Sequence, residues 1–395
     1  MPPSPASTNG SAKRSRRFLL VTNVFPPQIG GPATFISTLA RKLTEEFGHR
    51  VTVVCSSEVG DNIFDEGRPY VVRRLCHRTV LQYHASMRWT LGTELLQHHT
   101  VLVNGMENAV YPIAHALGRK YVLKVPGDNV WQMARNKGET TLDIDAFQSD
   151  RGAQSRFAAA IAQRNRIAQY ARLVVTPSRY LQRMVLGWGV VPARVTTIPN
   201  GVEIDRFMSA PRERAPSEPF RILFVGRLTN WKGVETILLA LTHMKNAILN
   251  VVGDGPSTPF LHELSRQLTL TDRVSFTGRL DHHEVARRMT ESHVLVLTSL
   301  YEGMSHTLQE AMASGLPCIA SQRGGNDEVI TSDRDGVLVE PQNVAALVAA
   351  LSRLQDDESW RQRMALEARE TSKRFSMDLT TSAFVTLLTS LSARR

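Results

Sequence analysis

Short apolar runs alternate with segments of helical spacing along this chain of 395 residues. In the first half the apolar runs predict strands at 18–24, 51–55, 71–75, 100–103, 121–125 and 173–176. The segments between them predict helices at 34–46, 111–117 and 157–171. Continuous apolar strands that alternate with helices are typical of a parallel sheet, because helices cover such strands on both faces. The first half therefore predicts an α/β unit.

The same alternation restarts in the second half. Its apolar runs predict strands at 221–225, 247–252, 274–277, 294–298, 317–321 and 336–339. Its helical spacing predicts helices at 234–241, 258–268, 284–289, 307–314 and 344–354. The predicted fold class is α/β, with two Rossmann-like, doubly wound domains that face each other across a cleft. Ligands of such sheets bind at the carboxyl ends of the strands, so the cleft is the expected site.

Composition also divides the chain. A single hydrophobic core rarely extends beyond about 300 residues, which makes two domains the expected arrangement. The stretch 209–219 contains three prolines and several charged residues, as interdomain linkers do. We predict a disordered basic tail at 1–17, a first domain at 18–205 and a second domain at 206–375. The apolar helix at 376–395 is expected to cross back to the first domain.

The composition excludes several classes of protein. Hydrophobic residues make up 42% of the chain and charged residues 21%, as in a soluble globular protein. No apolar run approaches the roughly 20 residues of a membrane span, and the apolar stretch after the basic tail is too short for a secretory signal. Cys55, Cys76 and Cys318 lack the spacing of a disulfide framework or a zinc site. We therefore expect a cytoplasmic protein without a bound metal.

The charge of the chain is uneven. Residues 1–200 carry 25 Lys and Arg against 13 Asp and Glu, a net charge of +12, whereas residues 201–395 carry 22 against 24, a net charge of −2. This excess is either an ordinary basic surface or a field for an anionic partner. An anionic membrane surface is one such partner, which would make the protein peripheral on the inner face of the membrane. No nucleic-acid-binding motif is present, so nucleic acid is not an expected partner.

Two glutamates, eight positions apart, bracket a predicted helix start. Ser305 is a suitable N-cap, and Gly315 ends the helix that follows. With a rise of about 1.5 Å per residue, Glu310 lies roughly one turn inside this helix, while Glu302 lies in the preceding loop. The unpaired N–H groups of a helix N-terminus can bind a phosphate. Glu302 can then accept hydrogen bonds from hydroxyls on one side of that phosphate, and Glu310 from hydroxyls on the other side. A nucleotide-sugar has this layout of ribose, diphosphate and hexose.

Other strand ends carry residues suited to a phosphate or sugar. Gly30 and Gly31 follow the first strand and permit close backbone approach; the alternative is an ordinary turn. Gly226 and Arg227 follow the first strand of the second unit. Arg227 and Lys232 lie on one loop and can converge on one diphosphate; the alternative is two solvated cations.

Two more strand ends have open interpretations. The segment 278–280 ends a strand and can border a nucleotide base; the alternative is a tight turn. In the first unit, Lys124 ends a strand and Asp128 follows it. Asp128 is expected either to point into the cleft on the acceptor side or to cap the next helix.

The ordered set of these segments resembles the GT-B glycosyltransferases, in particular the large retaining family 4 (glycosyl transferases group 1). The segments that carry the resemblance are Gly30-Gly31, Pro199-Asn200-Gly201-Val202 with Asp205 and Phe207, Gly226-Arg227 with Lys232-Gly233, Gly253-Asp254-Gly255, Phe276-Thr277-Gly278, Glu302 through Glu310 followed by Ala-Met-Ala-Ser-Gly-Leu-Pro, and Gly324-Gly325 with Glu328. The resemblance spans most of the chain, and the two-glutamate segment is its most specific part.

The resemblance implies a transfer reaction and the residues that carry it. Glu302 is expected to bind hydroxyls of the donor hexose and to stabilise developing charge. Arg227 and Lys232 are expected to neutralise the leaving diphosphate, so neither a metal nor another cofactor is needed. The implied reaction moves a hexose-type sugar, with retention, from a UDP- or GDP-sugar to a glycan, lipid-linked or small-molecule acceptor.

The resemblance also implies the donor-binding residues. Glu310 binds the ribose, backbone groups at the start of its helix hold sugar and phosphate, and strand-end turns approach the donor and its base. These residues are Gly30, Gly31, Gly226, Gly278, Leu280, Gly303, Met304, Ser305, His306 and Glu310.

One segment departs from the family pattern. Many relatives have a histidine after the strand predicted at 121–125, where this chain has Pro126-Gly127-Asp128. A subgroup with Lys-x-Pro-Gly-Asp followed by a tryptophan, here Trp131, is more similar. Two alternatives to a transferase stay open: a nucleotide-sugar 2-epimerase of the same fold, such as one acting on UDP-GlcNAc, and a catalytically inert nucleotide-sugar sensor.

Overall fold

The computed structural model describes residues 15–28, 30–57, 62–76, 79–208 and 218–393. Most of the predicted basic tail and the centre of the predicted linker lie outside these residues. The described chain forms two parallel sheets with helices on both faces, as the alternation of apolar runs predicts.

The first sheet has seven parallel strands in the order β3-β2-β1-β4-β5-β6-β7. Its strands are β1 Arg17–Thr22, β2 Arg50–Ser57, β3 Val71–Cys76, β4 Thr100–Asn104, β5 Val122–Lys124, β6 Leu173–Thr176 and β7 Val195–Thr197. The helices around it are α1 Gly31–Glu45, α2 Val80–Gln97, α3 Glu107–Ala116, α4 Asn129–Asn136, α5 Ile144–Ser149, α6 Arg151–Arg156, α7 Ala158–Tyr170 and α8 Arg179–Gly187. A short helix, α9 Ile204–Phe207, follows β7 and packs on the core of the second sheet through Phe207.

The second sheet has six parallel strands in the order β10-β9-β8-β11-β12-β13. Its strands are β8 Phe220–Val225, β9 Ala247–Val252, β10 Val274–Gly278, β11 Val294–Leu297, β12 Cys318–Ser321 and β13 Val337–Val339. The remaining helices are α10 Val234–Thr242, α11 Thr258–Gln267, α12 His282–Glu291, α13 His306–Ser314, α14 Val344–Asp356, α15 Glu358–Ser372 and α16 Met377–Ala393.

Both sheets reverse their strand order beside their first strand, between β1 and β4 and between β8 and β11. Crossovers leave in opposite directions at such a point, and a crevice opens at the carboxyl ends of the two strands. Asn104 ends β4, and Gly226 directly follows β8. The two switch points therefore place these residues where ligands of doubly wound sheets bind.

The predicted strands all occur, within a few residues of their expected bounds, but several elements were missed. β7 is a strand of only three residues with two threonines, so it has no apolar run to detect. The helices α2, α5, α6, α8, α9 and α15 were also missed, and α4 was anticipated only as the helix that Asp128 would cap in the capping alternative. In α2, Gly92 and a weak segregation of apolar residues hide the helical period.

The last helix, α16, packs on the first sheet's side of the molecule. Phe384 lies with its ring centroid 4.8 Å from that of Phe35 on α1, and both rings belong to a core that includes Phe18 of β1. Lys42 forms an ion pair with Asp378 at the start of α16. Burial of these apolar side chains explains why a helix that follows the second sheet returns to the first. No helix in the described parts of the chain is both long enough and apolar enough to cross a membrane.

Candidate active site

Glu302 lies in the loop after β11, and only 8% of the residue is exposed. Its Oε1 accepts hydrogen bonds from Lys232 Nζ at 2.6 Å and from Ser299 Oγ at 2.7 Å. The ammonium and the hydroxyl compensate for the loss of water around the carboxylate. Glu302 and Lys232, which the sequence predicted as separate site residues, are therefore in direct contact.

A glycine turn after β12 holds the Glu302 backbone. Gly325 N donates to Glu302 O at 2.9 Å. Gly324 has a φ of 69°, and a Cβ added there would lie 1.9 Å from Glu302 O. Only glycine fits such an approach, so the Gly324-Gly325 turn is needed for the position of Glu302.

Three strand-end turns of the second sheet meet at its carboxyl edge. Gly253 N donates to Gly278 O at 2.8 Å, and a Cβ on Gly253 would lie 1.9 Å from Gly226 O. Arg227 lies at this edge with its side chain exposed. Within the described chain, the Arg227 guanidinium makes no hydrogen bond or ion pair, so it is available to a ligand.

The helix after Glu302 begins as predicted. Ser305 caps α13, because its Oγ accepts a hydrogen bond from Leu308 N at 3.3 Å, and Gly315 ends the helix with a φ of 74°. Among the described residues, no acceptor contacts the backbone N–H groups of Met304, Ser305 and His306. Unpaired N–H groups at a helix N-terminus attract anions, in part through the helix dipole.

The N-terminus of α1 meets that of α13. A Cβ added to Gly31 would lie 2.6 Å from His306 Nε2, so the first residues of the two helices are in contact. Gly30 precedes α1 with a φ of 152°, a conformation that favours glycine, and no side chain caps this helix. Gly31 thus faces the second domain, and two helix N-termini converge beside His306.

His306 is held neutral. Burial and, to a smaller extent, the nearby Lys124 charge lower the pKa of His306 to about 4, against the opposing effect of a hydrogen bond to the Gly201 backbone. A neutral imidazole at this junction adds no charge to the anion site that the two helix N-termini form.

Glu310 lies one turn inside α13 and is half-buried. No hydrogen bond or ion pair to its carboxyl occurs among the residues that the structure covers. Desolvation raises the pKa of Glu310 to about 8, with Arg206 lowering it and Glu203 raising it. A carboxyl group without protein partners in such surroundings can bind ligand hydroxyls.

Sequence reasoning missed Asn200 as the residue that connects the two domains at the site. Its Nδ2 donates to Met304 O at 3.1 Å, and its Oδ1 accepts from Lys124 Nζ at 3.0 Å. Its own carbonyl accepts from Gln309 Nε2 at 3.1 Å. The Pro199-Asn200-Gly201 motif contributed to the family resemblance, but no role between the domains was assigned to it.

Lys124 and Asp128 were candidates for the acceptor side, with a helix cap as the alternative for Asp128, and the structure shows that Asp128 is a cap. This carboxylate is fully buried and caps α4, accepting from Val130 N at 2.9 Å. Its other oxygen accepts from Gln148 Nε2 at 2.8 Å and forms an ion pair with Arg164. The capping alternative is therefore correct, because protein groups already bind both oxygens of this carboxylate. Burial lowers the pKa of Lys124, which lies at the end of β5, to about 8.

Further contacts join the domains around the site. Glu328 accepts from Arg179 N and Tyr180 N, both at 2.8 Å, so a carboxylate of the second domain caps α8 of the first. Trp131 of α4 lies 5.5 Å from Trp231 and 5.3 Å from Tyr301, measured between ring centroids. These contacts hold the loops that contain Lys232 and Glu302 against the first domain.

No group of three or more His, Cys, Asp or Glu side chains suited to a metal ion occurs in the described ranges.

The comparisons with known proteins agree with this geometry. The model of Glycosyltransferase Family 4 matches residues 29–206, and the model of Glycosyl transferases group 1 matches residues 205–371. The chain therefore belongs to the GT-B glycosyltransferases of the group 1 and family 4 type.

Relatives and solved structures support this membership. Glycogen synthase of Mycobacterium tuberculosis (strain ATCC 25618 / H37Rv) is 33% identical over 182 residues, which are 45% of this chain and 44% of that protein. A GDP-mannose-dependent alpha-(1-6)-phosphatidylinositol monomannoside mannosyltransferase of the same strain is 25% identical over 373 residues, 90% of this chain and 93% of that protein. The chain spans about half the length of the first curated relatives that it matches.

Among solved structures, sucrose-phosphate synthase from Thermosynechococcus elongatus superposes with a TM-score of 0.79 at 20% identity, covering 96% of this chain and all of that one. Anabaena HepE in complex with UDP-glucose superposes with a TM-score of 0.75 at 19% identity, covering 95% of this chain and all of that one. These structures share the two-domain fold.

Proposed function

We propose that this protein is a retaining glycosyltransferase that moves a hexose from a nucleotide-diphosphate sugar to a hydroxyl-bearing acceptor. The observation that carries the proposal is the buried Glu302 carboxylate, paired with Lys232 beside two converging helix N-termini. This arrangement offers a carboxylate to a sugar and positive potential to a diphosphate. The reported relatives are transferases and synthases, and none favours the epimerase alternative.

The donor is proposed to bind along the carboxyl edge of the second sheet. Its diphosphate would lie against the N-termini of α13 and α1, with Arg227 and Lys232 supplying charge. Its ribose would lie on Glu310, whose carboxyl lacks a partner in the described chain, and its base beside the turn at 278–280. The hexose would then lie against Glu302.

Transfer requires charge stabilisation and positioning more than acid–base groups. As the bond to the leaving diphosphate breaks, positive charge develops on the hexose and negative charge on the phosphate. Glu302 stabilises the former, and Lys232, Arg227 and the helix N-termini stabilise the latter. The acceptor hydroxyl attacks from the face on which the phosphate leaves and gives its proton to that phosphate, so the anomeric configuration is retained. Contacts between the domains hold the reacting groups in position.

Two donor types are proposed. One relative is named for GDP-mannose, and one structural neighbour was solved with UDP-glucose, so UDP- and GDP-sugars are the first to test. The acceptor is proposed to be a glycan, a lipid-linked sugar or a small molecule that binds on the side of the first domain.

A nucleotide-binding screen tests the proposal. The melting temperature is measured with UDP, GDP, ADP and TDP, because a ligand that binds only the folded state raises it. We expect UDP or GDP to raise the melting temperature of the wild type, and Lys232→Ala to reduce that rise. Radiolabelled transfer from the corresponding sugar nucleotide then tests turnover. Unchanged transfer in both Lys232→Ala and Glu302→Gln contradicts the proposal.

We also propose peripheral contact with the anionic inner face of a membrane. On α2, Trp89 is 75% exposed and Leu96, two turns further along the same side of the helix, is 62% exposed. Arg88 next to Trp89 is exposed as well, and residues 1–200 carry a net charge of +12. An exposed aromatic and aliphatic pair beside cations suits the interface of an anionic bilayer.

A further inference from the structure

A cavity of about 340 Å³ lies within the first domain, at the carboxyl ends of β1, β4 and β5. Residues of α4 and α7 form its opposite wall. Its volume falls in the range of small-molecule sites, and its position is the switch point of the first sheet. The cavity is distinct from the donor edge of the second sheet, because residues of the first domain alone line it.

A buried carboxamide without a partner lines this cavity. Asn104 ends β4 and is only 7% exposed, and its Nδ2 has no hydrogen-bond partner within the described chain. A buried amide that makes no hydrogen bond is costly, so a ligand group is the expected partner. Asn23, which directly follows β1, places its carboxamide beside Gly105, where an added Cβ would lie 3.0 Å from Asn23 Cγ. Two carboxamides thus lie at one end of the cavity.

The charged groups in the cavity wall are bound to protein partners. Glu107 Oε1 accepts from Asn129 Nδ2 at 2.6 Å, and Lys124 Nζ donates to Asn200 Oδ1 at 3.0 Å. Arg164 is the third, and it forms an ion pair with the buried carboxylate that caps α4. A phosphate group in the cavity would lose its hydration and would be repelled by the Glu107 carboxylate. The Arg164 guanidinium would not compensate, because it is already in an ion pair. An uncharged group avoids these costs.

Part of the cavity wall is apolar. Val130 and Met133 of α4, Ile167 of α7 and Trp188 form it. A carboxamide both donates and accepts hydrogen bonds, as a hydroxyl does, whereas an apolar wall suits the C–H face of a ring. A sugar or cyclic polyol presents both kinds of surface.

The cavity lies beside the proposed reaction centre. Its wall includes Pro126 and Gly127, which contact the Glu302 loop: a Cβ on Gly303 would lie 2.5 Å from Pro126 O, and one on Gly127 would lie 2.7 Å from the Tyr301 hydroxyl. Pro32, next to the glycine that contacts His306, also lines it. A ring held in the cavity is therefore adjacent to the proposed site of the donor hexose.

We propose that this cavity binds the acceptor as an uncharged ring with hydroxyl groups, a sugar or a cyclic polyol, and that Asn104 binds one of its hydroxyls. The inference rests on the proposed glycosyltransferase function. In the transfer, the acceptor oxygen forms a bond to the anomeric carbon of the donor and the bond from that carbon to the phosphate oxygen breaks. The hydroxyl proton leaves on the nucleoside diphosphate.

Ligand-observed NMR with a matched panel tests the inference. The probes are methyl glucoside, methyl mannoside and myo-inositol, each compared with a phosphorylated analogue, in the presence of UDP or GDP. We expect a neutral ring to bind the wild type more tightly than its phosphate. Asn104→Ala should weaken that binding about tenfold, because one hydrogen bond in a desolvated site is lost. Asn136→Ala, an exposed asparagine outside the cavity, is the control and should bind as the wild type does.

Met133→Lys is a second variant that avoids the buried strand end. Met133 is 55% exposed, so the substitution should leave the fold intact while placing a charge in the apolar wall. It should weaken the neutral ring at least as much as Asn104→Ala does. Tighter binding of the phosphorylated probes, equal binding by Asn104→Ala and wild type, or no binding of any neutral probe overturns the inference. A nucleotide-induced rise in melting temperature that persists in Asn104→Ala separates this failure from failure of the proposed function.

Discussion

At the scale of single residues, the proposed chemistry depends on the different surroundings of two carboxyl groups, Glu302 and Glu310. Glu302 has an ammonium and a hydroxyl on one oxygen, whereas Glu310 has no hydrogen-bonding partner in the described chain. Burial raises the pKa of Glu310 to about 8. Glu302 is therefore suited to stabilise positive charge as a carboxylate. Glu310 is suited to lose its proton when it accepts hydrogen bonds from ligand hydroxyls.

Glu302→Gln should reduce transfer by about 10²–10³, because it removes negative charge beside the hexose in the transition state. Nucleotide affinity should change much less, because the ribose and diphosphate bind elsewhere. Initial rates with a radiolabelled sugar nucleotide, together with calorimetric affinity for the nucleotide, measure the two effects. Glu367→Gln, at an exposed ion pair with Arg334, is the control. Equal rates for Glu302→Gln and this control would contradict the proposed role.

Nucleotide binding should release a proton from Glu310. At pH 7 this carboxyl mostly carries its proton, since its pKa is about 8, and hydrogen bonds donated by ribose hydroxyls favour the ionised form. Affinity should therefore rise as the pH increases from 7 to 9. Calorimetry in two buffers of different ionisation enthalpy measures the released proton. The control Glu310→Gln should release none, and equal release by both proteins would rule out this group as its source.

The same pKa gives a sign for stability. Because the folded-state pKa of Glu310 lies above the unfolded value, the native state binds more protons between about pH 4.5 and 8. The contribution of this group to the free energy of unfolding is greatest below the unfolded pKa and is lost as the pH rises through the folded pKa.

At the scale of elements, the site depends on two helix N-termini that meet. Gly31 at the start of α1 contacts the imidazole at the start of α13, and neither contact residue is near the other in sequence. Helical spacing predicted both helices, but their approach depends on the docking of two domains.

Gly31→Ala should separate the two helices, because its Cβ would lie 2.6 Å from a buried ring nitrogen. We expect a lower melting temperature and nucleotide affinity reduced several-fold or more, since the shared anion site is widened. Gly92→Ala in α2 is the matched control, because a Cβ there meets nothing within 4 Å. That control should be neutral or stabilised by about 0.5–1 kcal/mol through helix propensity. Wild-type nucleotide affinity in Gly31→Ala would show that the helix contact is not needed.

At the scale of the whole molecule, the uneven charge and the exposed face of α2 belong together. The excess of positive charge lies in the first 200 residues, and Trp89 is the most exposed of the large hydrophobic residues described. The first domain would then contact both the acceptor and the membrane surface, while the second domain binds the donor.

Trp89→Ala should reduce binding to vesicles that contain anionic lipid, since it removes the aromatic group proposed to enter the interface. Sedimentation with vesicles of neutral phosphatidylcholine, alone or mixed with phosphatidylglycerol, measures the effect at low and high salt. Binding should require the anionic lipid and weaken with salt. Phe260→Ala, a 56% exposed aromatic residue of the second domain, is the control. Equal vesicle binding by wild type and Trp89→Ala would exclude this face.

The sequence by itself determined the two parallel sheets and the start and end of α13, because these depend on local periodicity, capping and strand ends. The contact between Glu302 and Lys232 was not predicted, because it joins two separate loops. Only the tertiary structure decided which polar groups are bound to protein partners and which are free to bind a ligand. Asp128 caps a helix and pairs with Arg164, Asn200 connects the domains, and the Asn104 Nδ2 has no hydrogen-bond partner among the described residues beside the cavity. Such contacts join residues that are distant in the chain. An unpaired polar group becomes costly only when the packing of sheets and domains removes it from water.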